Sequence, residues 1–209
     1  MEFTTVDLIR HGEPEGGSRY RGHIDDPLSK RGWEQMRSVV EEFAPWNRVL
    51  TSPLSRCREF AVELAEREQI PMEEIRDFME IGFGAWEGKS AKELMDDDPE
   101  SLRRFWSDPI NNTPPDAETI GDFSQRITVR WEQIINDFRG EHMLVVGHAG
   151  VIRMIISHVL GMPMERMFRI DVPNAGISRI QIDHFGEESL PRLIFHAGIL
   201  EQHGASEKA

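Results

Sequence analysis

Arg10 and His11 stand side by side where the apolar, β-branched run Val6-Asp7-Leu8-Ile9 stops and Gly12 lets the backbone turn. In an open α/β sheet, residues just past the carboxyl end of a strand face the ligand crevice. An arginine beside a histidine there points to anion binding next to a proton carrier or nucleophile. The pattern recurs. Met143-Leu144-Val145-Val146 is a second apolar run, and Gly147-His148-Ala149-Gly150 follows it. Arg48 to Thr51 reads as a third, short strand. Ser52 as N-cap and Pro53 at the first helical position are then expected to open a helix over 54–68, with Arg56 in its first turn.

Three strand ends thus supply Arg10, His11, Arg56 and His148. Two guanidiniums can take a phosphate in bidentate fashion. An imidazole between them, neutral at pH 7, could attack phosphorus in line, while the second donates to an equatorial oxygen as charge redistributes. The leaving alkoxide needs a proton, which calls for a carboxylic acid near the phosphate, where like-charge repulsion keeps it protonated. Glu13, Glu80 and Glu87 are the loop carboxylates on offer. A divalent ion held by His11 and His148 would be repelled by the flanking arginines, so no metal and no cofactor are expected.

The elements that must hold these groups alternate. Ser29 can cap a helix running to about Phe43, with Trp33, Met36, Val39, Val40 and Phe43 as its apolar stripe. Ile75 to Met79 looks like a short strand, and Glu80 to Gly88 is too rich in glycine for a helix. Two short helices are expected between Ser90 and Trp106, broken by Asp96-Asp97-Asp98-Pro99, whose acids read as a solvated helix end. Ile120 to Phe138 carries Ile127, Trp131, Ile134, Ile135 and Phe138 at helical spacing, with Gly140 ending it. Val151 to Leu160 reads as a buried helix; 168–172, 177–182 and 193–196 read as strands, and the tail from Gln202 as frayed. The expected fold is α/β, one domain over 1–209, with a lid-like helical excursion at about 90–120.

Composition narrows the function. The chain has 209 residues, 39% hydrophobic and 29% charged, which suits a globular domain with a real core. A net charge of −13 argues against a nucleic-acid surface or an anionic membrane surface. No apolar segment reaches the roughly 20 residues that span a bilayer. Met1-Glu2-Phe3 lacks the basic start of a signal peptide, and the single cysteine, Cys57, excludes an intrachain disulfide, so a cytoplasmic location is expected. Cys57 reads as a small packed residue rather than a nucleophile. His158 reads as core and His142, His184, His196 and His203 as surface, while Trp86 and Trp106 read as core rather than as a stacking platform.

Taken together, Arg10-His11-Gly12-Glu13, Ser52-Pro53-Leu54-Ser55-Arg56, Glu80 with Gly84-Ala85-Trp86-Glu87-Gly88, and Gly147-His148-Ala149-Gly150 resemble the signature set of the histidine phosphatase superfamily, in order and spacing and over nearly the whole chain. The resemblance implies a phosphoglycerate mutase-like fold, a three-layer α/β/α sandwich with a mostly parallel mixed sheet. It implies His11 as the phosphorylated nucleophile, Arg10, Arg56 and His148 as the phosphate pocket, Glu80 as acid and then base, and no metal. By position, Arg21, His23 and Ala149 are the candidate substrate contacts. Phe123-Ser124-Gln125-Arg126 and the stretch from Leu160-Gly161-Met162-Pro163 to Asp171-Val172 resemble the α-ribazole phosphatases of cobalamin assembly. Two departures stand out. Pro14 occupies the usual Thr position, and the short Gly16-Gly17-Ser18 loop lacks the Asn that helps bind phosphate; Pro115 to Thr119 replaces a common Gly-Glu-Ser pattern. The implied activity is hydrolysis of a small phosphorylated metabolite, possible substrates including α-ribazole 5′-phosphate, by a monomer or homodimer. The alternative is a phosphoglycerate mutase-type phosphomutase, which needs more basic contacts and a longer insertion than the short, acidic 80–120 region offers.

Overall fold

A strand covered on both faces must be apolar without alternation, and Met143-Leu144-Val145-Val146 obeys this. In the computed structural model, which describes residues 2–41, 43–198 and 200, these four side chains are fully buried. They belong to β4 (His142–Gly147), the centre of a six-stranded sheet. Its neighbours are β1 (Glu2–Arg10) and β2 (Arg48–Thr51), both parallel to it. Beyond β2 lies β3 (Met72–Glu74), also parallel. Beyond β1 lie β5 (Ile177–Phe185) and then β6 (Glu188–Gly198), each antiparallel to its neighbour. The strand order is β3-β2-β4-β1-β5-β6, a mixed sheet with three parallel and two antiparallel pairings.

Successive side chains leave a strand on opposite faces, and the core divides accordingly. Val6, Leu8, Met143 and Val145 face one layer, made by α5 (Ile120–Asp137) and α6 (Ala149–Val159). Ile9, Leu144 and Val146 face the other, made by α1 (Lys30–Val39) and α2 (Ser55–Glu68). This is the three-layer α/β/α sandwich. Two further helices, α3 (Ala91–Asp97) and α4 (Ser101–Ser107), pack a small cluster of their own from Trp86, Leu94, Leu102 and Phe105, with Tyr20, Phe83 and Phe168 against it.

Inside β1 the carboxylate of Asp7 is wholly buried and fully bonded. It accepts from Trp46 Nε1 at 2.8 Å, is paired with His142 Nε2 at 2.9 Å, and takes Arg179 in bidentate fashion at 2.8 and 2.9 Å. Burial pushes the Asp7 carboxyl up, but its hydrogen bonds with His142 and Arg179 together outweigh that and hold it below its ordinary value.

Four expectations of local structure are corrected. Ser52 does not cap α2, which opens at Ser55 after Leu54. The strand expected over 75–79 is instead β3 at Met72–Glu74 followed by a 3-10 turn at Arg76–Phe78. Residues 168–172 form no strand; a 3-10 turn over Met164–Arg169 runs into an extended segment whose carbonyls are taken by side chains. The helix after Ser29 ends at Val39, short of Phe43. The tail from Gln202, with His203, lies outside the described residues. No helix among the described residues is long and apolar enough to cross a membrane.

Candidate active site

Strand register brings the two histidines together. Arg10 pairs with Gly147 across β1 and β4, and Thr51 with Val146 across β2 and β4. The next residues, His11, His148 and Ser52, therefore leave the sheet side by side. The His11 N–H donates to the Gly147 carbonyl at 2.9 Å and the Ser52 N–H to that of Val146 at 3.1 Å. The imidazole centroids are 5.2 Å apart, with the ring planes at 65°. Gly12 makes the following turn possible by close approach, since a Cβ there would stand 2.3 Å from the Gly32 carbonyl oxygen at the start of α1.

The tautomer of His11 follows from its one fixed partner. Its Nδ1 lies 2.7 Å from the carbonyl oxygen of Gly12, an acceptor, so Nδ1 carries the proton. Nε2 of the neutral ring is left with its lone pair. Burial, and then the nearby charges of Arg56 and Arg10, push the His11 pKa well below the ordinary histidine value. The same causes, burial first and Arg56 next, lower His148. His148 is fully buried, is held at Nε2 by the Ser52 hydroxyl at 2.7 Å, and forms the N-cap of α6.

Arg10 and Arg56 are both anchored by their outer nitrogens. Arg10 Nη1 donates to the Val172 carbonyl at 2.6 Å; Arg56 donates to the Ile24 and Gly22 carbonyls at 2.7 and 2.9 Å. Their Nε–H groups are buried and have no hydrogen-bond partner among the described residues. A buried donor without an acceptor is costly unless something binds there. An anion would satisfy both.

The three carboxylates separate cleanly. Glu80 lies on the wall of a cavity of about 330 Å3 together with Arg10, His11 and Arg56. Its carboxylate accepts from the Ile81 N–H at 3.0 Å and the Gly150 N–H at 3.2 Å, and so touches the N-terminus of α6. Glu87 faces inward to the loop, accepting from Phe83 N–H at 3.0 Å and His23 N–H at 3.1 Å. Glu13 lies 3.7 Å from Arg31 at the surface. Neither lines the cavity.

Of the expected substrate contacts, Ala149 and Arg21 line this cavity and His23 does not. Arg21 spends its guanidinium on its own loop, bonding Asp26, Glu15 and Gly17. His23 stands behind Glu80, its Nε2 3.0 Å from the Glu80 carbonyl, which also accepts from Arg126 at 3.1 Å. Among the described residues no group of three potential ligands could hold a metal ion. A larger cavity of about 520 Å3 is lined by α3, α4 and the segment after them, but its Lys89 and Arg104 are already paired with Asp97 and Asp98.

Residues 6–191 match the sequence profile of the histidine phosphatase superfamily, branch 1. The chain belongs to that superfamily. It is 32% identical to the adenosylcobalamin/alpha-ribazole phosphatase of Escherichia coli (strain K12), over 84% of this chain and 89% of that one. It is 27% identical to phosphoserine phosphatase 1 of Hydrogenobacter thermophilus, over 84% and 85% of the two chains. The crystal structure of the alpha-ribazole phosphatase from Shigella flexneri superposes with a TM-score of 0.76 at 28% identity, covering 95% of this chain and 99% of that one. The chain is a phosphatase of the histidine phosphatase superfamily with the phosphoglycerate mutase-like fold.

Seen as a histidine phosphatase, the chain fills its unusual loop in its own way. Pro14, Ser18 and Arg19 line the cavity in the stretch where the family Asn is missing. Three residues to which the sequence assigned no role at the site also bear on it. Ser52 orients His148. Arg153 and Trp106 line the cavity. Arg153 had a signal in the sequence, as the lone charged residue in the apolar run 149–160. Trp106 had none: it reads as core in the sequence, yet it stands exposed on the cavity wall.

Proposed function

We propose that this phosphatase hydrolyses a small phosphate monoester through a phosphohistidine on His11. One observation carries the reading: a neutral His11, with Nδ1–H tied to the Gly12 carbonyl, presents the Nε2 lone pair beside two buried, unpartnered Nε–H donors of Arg10 and Arg56. In this reading Nε2 attacks phosphorus while the arginines and His148 take the phosphoryl oxygens. The bond to the leaving oxygen breaks, and Glu80 gives that oxygen its proton. Glu80, now a carboxylate, takes a proton from water; the hydroxide attacks the phosphohistidine, and phosphate and free His11 are regenerated. Ala149 and Arg21 border the leaving group, and His23 supports Glu80 from behind.

The resemblance to alpha-ribazole phosphatases supports α-ribazole 5′-phosphate as the substrate to try first, in a cytoplasmic monomer or homodimer acting on a metabolite rather than on nucleic acid or membrane. The test is rapid acid-free quenching with labelled substrate. His11→Ala should abolish both turnover and the acid-labile phosphoenzyme while circular dichroism stays native. A phosphoenzyme that persists on another residue refutes the assignment. Transfer of label to phosphoglycerate instead of water would establish the phosphomutase alternative.

A further inference from the structure

The cavity extends well past the phosphate groups, and its outer part is built from residues the hydrolytic steps do not use. On α6, Ala149 and Arg153 are one turn apart and so share a face, and both line the cavity. His148 at the N-cap and Gly150, which holds Glu80, lie toward the phosphate end. Arg153 therefore sits beyond the proposed acid, on the side where the alcohol leaves. Its Nε donates to the Ile170 carbonyl at 2.8 Å, while its two NH2 groups make no hydrogen bond among the described residues. Trp106 of α4 lines the same cavity and is nonetheless 43% exposed. Phe168 supports it edge-on, with ring centroids 4.7 Å apart and planes at 88°. The other exposed large aromatics among the described residues, Phe3 and Phe185, lie on the sheet away from the cavity. An exposed indole braced by a second ring, beside unspent guanidinium donors, is a shelf for a flat ring bearing polar oxygens.

We propose that Trp106 and Arg153 are the specificity residues for the leaving group, reading the aromatic ring and the hydroxylated linker of the riboside alcohol that the proposed substrate carries. Trp106 stacks the ring, and Arg153 donates to the hydroxyls between ring and ester. The inference rests on the phosphatase reading above and adds the residues that select the alcohol.

The experiment compares kcat/KM for adenosine 5′-monophosphate, α-ribazole 5′-phosphate, 2-phenylethyl phosphate and glycerol 3-phosphate. Removing a stacking partner typically costs enough to lower binding on the order of ten-fold or more. Trp106→Ala should therefore reduce the preference for ring-bearing esters over glycerol 3-phosphate by about ten-fold, and Trp106→Phe should restore most of it. Arg153→Met should penalise the two ribosides more than 2-phenylethyl phosphate, and through KM rather than kcat. In parallel, calorimetry on His11→Ala, with and without Trp106→Ala, measures binding of the same ribosides without turnover. Equal losses on every ester in Trp106→Ala, with Trp106→Phe no better, overturn this inference alone. Ring-dependent binding with no hydrolysis by the wild-type protein overturns the phosphatase mechanism but supports the subsite. Absence of both binding and hydrolysis of all ring-bearing esters overturns the subsite.

Discussion

Gly150→Ala isolates the placement of the proposed acid from its chemistry. Gly150 is the second residue of α6, where alanine is the better helix former by about 1 kcal/mol. A Cβ at this position would stand 2.2 Å from Glu80 Oε1, with Phe123 Cζ already at 3.4 Å. For ordinary contact at 3.4 Å the carboxylate must retreat from 2.2 Å, a displacement of about 1.2 Å, and it lets go of the Gly150 N–H as it does so. The moving atom is the end of a flexible side chain, so the fold should tolerate the change and the melting temperature should stay level or rise slightly. The reaction should not tolerate it. A misplacement of about 1 Å can cost on the order of 10²-fold, within the roughly 10²- to 10⁴-fold that a general acid supplies. Single-turnover phosphoenzyme formation should thus fall about a hundred-fold with an alkyl phosphate and distinctly less with p-nitrophenyl phosphate, whose phenolate leaves without help. Adding Glu80→Gln to Gly150→Ala should cost nothing further. Equal losses on the two substrates, or losses that multiply in the double variant, would refute a role for Gly150 in placing the acid.

Three further outcomes are expected. Glu80→Gln should lower the rate strongly with an alkyl phosphate and less with p-nitrophenyl phosphate, whereas Glu87→Gln, which disturbs only the Phe83 and His23 backbone, should show no dependence on leaving group; the reverse pattern would name Glu87 as the acid. The free protein should lose stability as pH falls below about 6.5, because the unfolded chain protonates His11 and His148 there while burial keeps the folded imidazoles neutral. Each imidazole contributes a slope of up to about 1.4 kcal/mol per pH unit, so urea titrations should give a shallower slope for His11→Ala than for the wild type, and equal slopes would contradict the assigned shift. Exhaustive EDTA treatment should leave phosphatase activity unchanged, and loss restored by one divalent ion would show a metal-dependent reaction.

Much of the architecture was legible because it rests on local rules. Largely apolar runs ending in Arg10-His11 and Gly147-His148 marked the central strands, and Ser29, Gly140 and the 3.6-residue stripe of α5 marked helices. What escaped depends on partners distant in sequence. Ser52-Pro53 has the look of a helix start, yet the Ser52 hydroxyl is drawn to His148, ninety-six residues away. The segment 168–172 has strand-like residues, but Arg153 takes the Ile170 carbonyl, His196 that of Asp171 and Arg10 that of Val172, which leaves none of these three oxygens to a neighbouring strand. Arg21 and His23 sit in the expected loop, but their polar atoms are occupied by the loop itself and by Glu80, a pairing that no spacing announces. Trp106 belongs to a cluster of rings whose exposure is decided by how the lid packs.

The carboxylate of Asp7 bears on how the chain finds its alignment. It lies three residues before Arg10 on the same strand, and its bonds reach the loop before β2 at Trp46, the start of β4 at His142 and the antiparallel neighbour β5 at Arg179. A slip of β1 by one residue would send every side chain of that strand to the opposite face. Asp7 would then enter the apolar layer under α5 and α6 as an unpaired charge, while leaving Trp46 Nε1 and Arg179 without their acceptor. Such a loss commonly costs several kcal/mol, a sizeable part of a domain's total stability. The misaligned sheet is thereby penalised before any ligand arrives, and Arg10 and His11 reach the crevice only in the one alignment that satisfies a charge buried deep in the strand behind them.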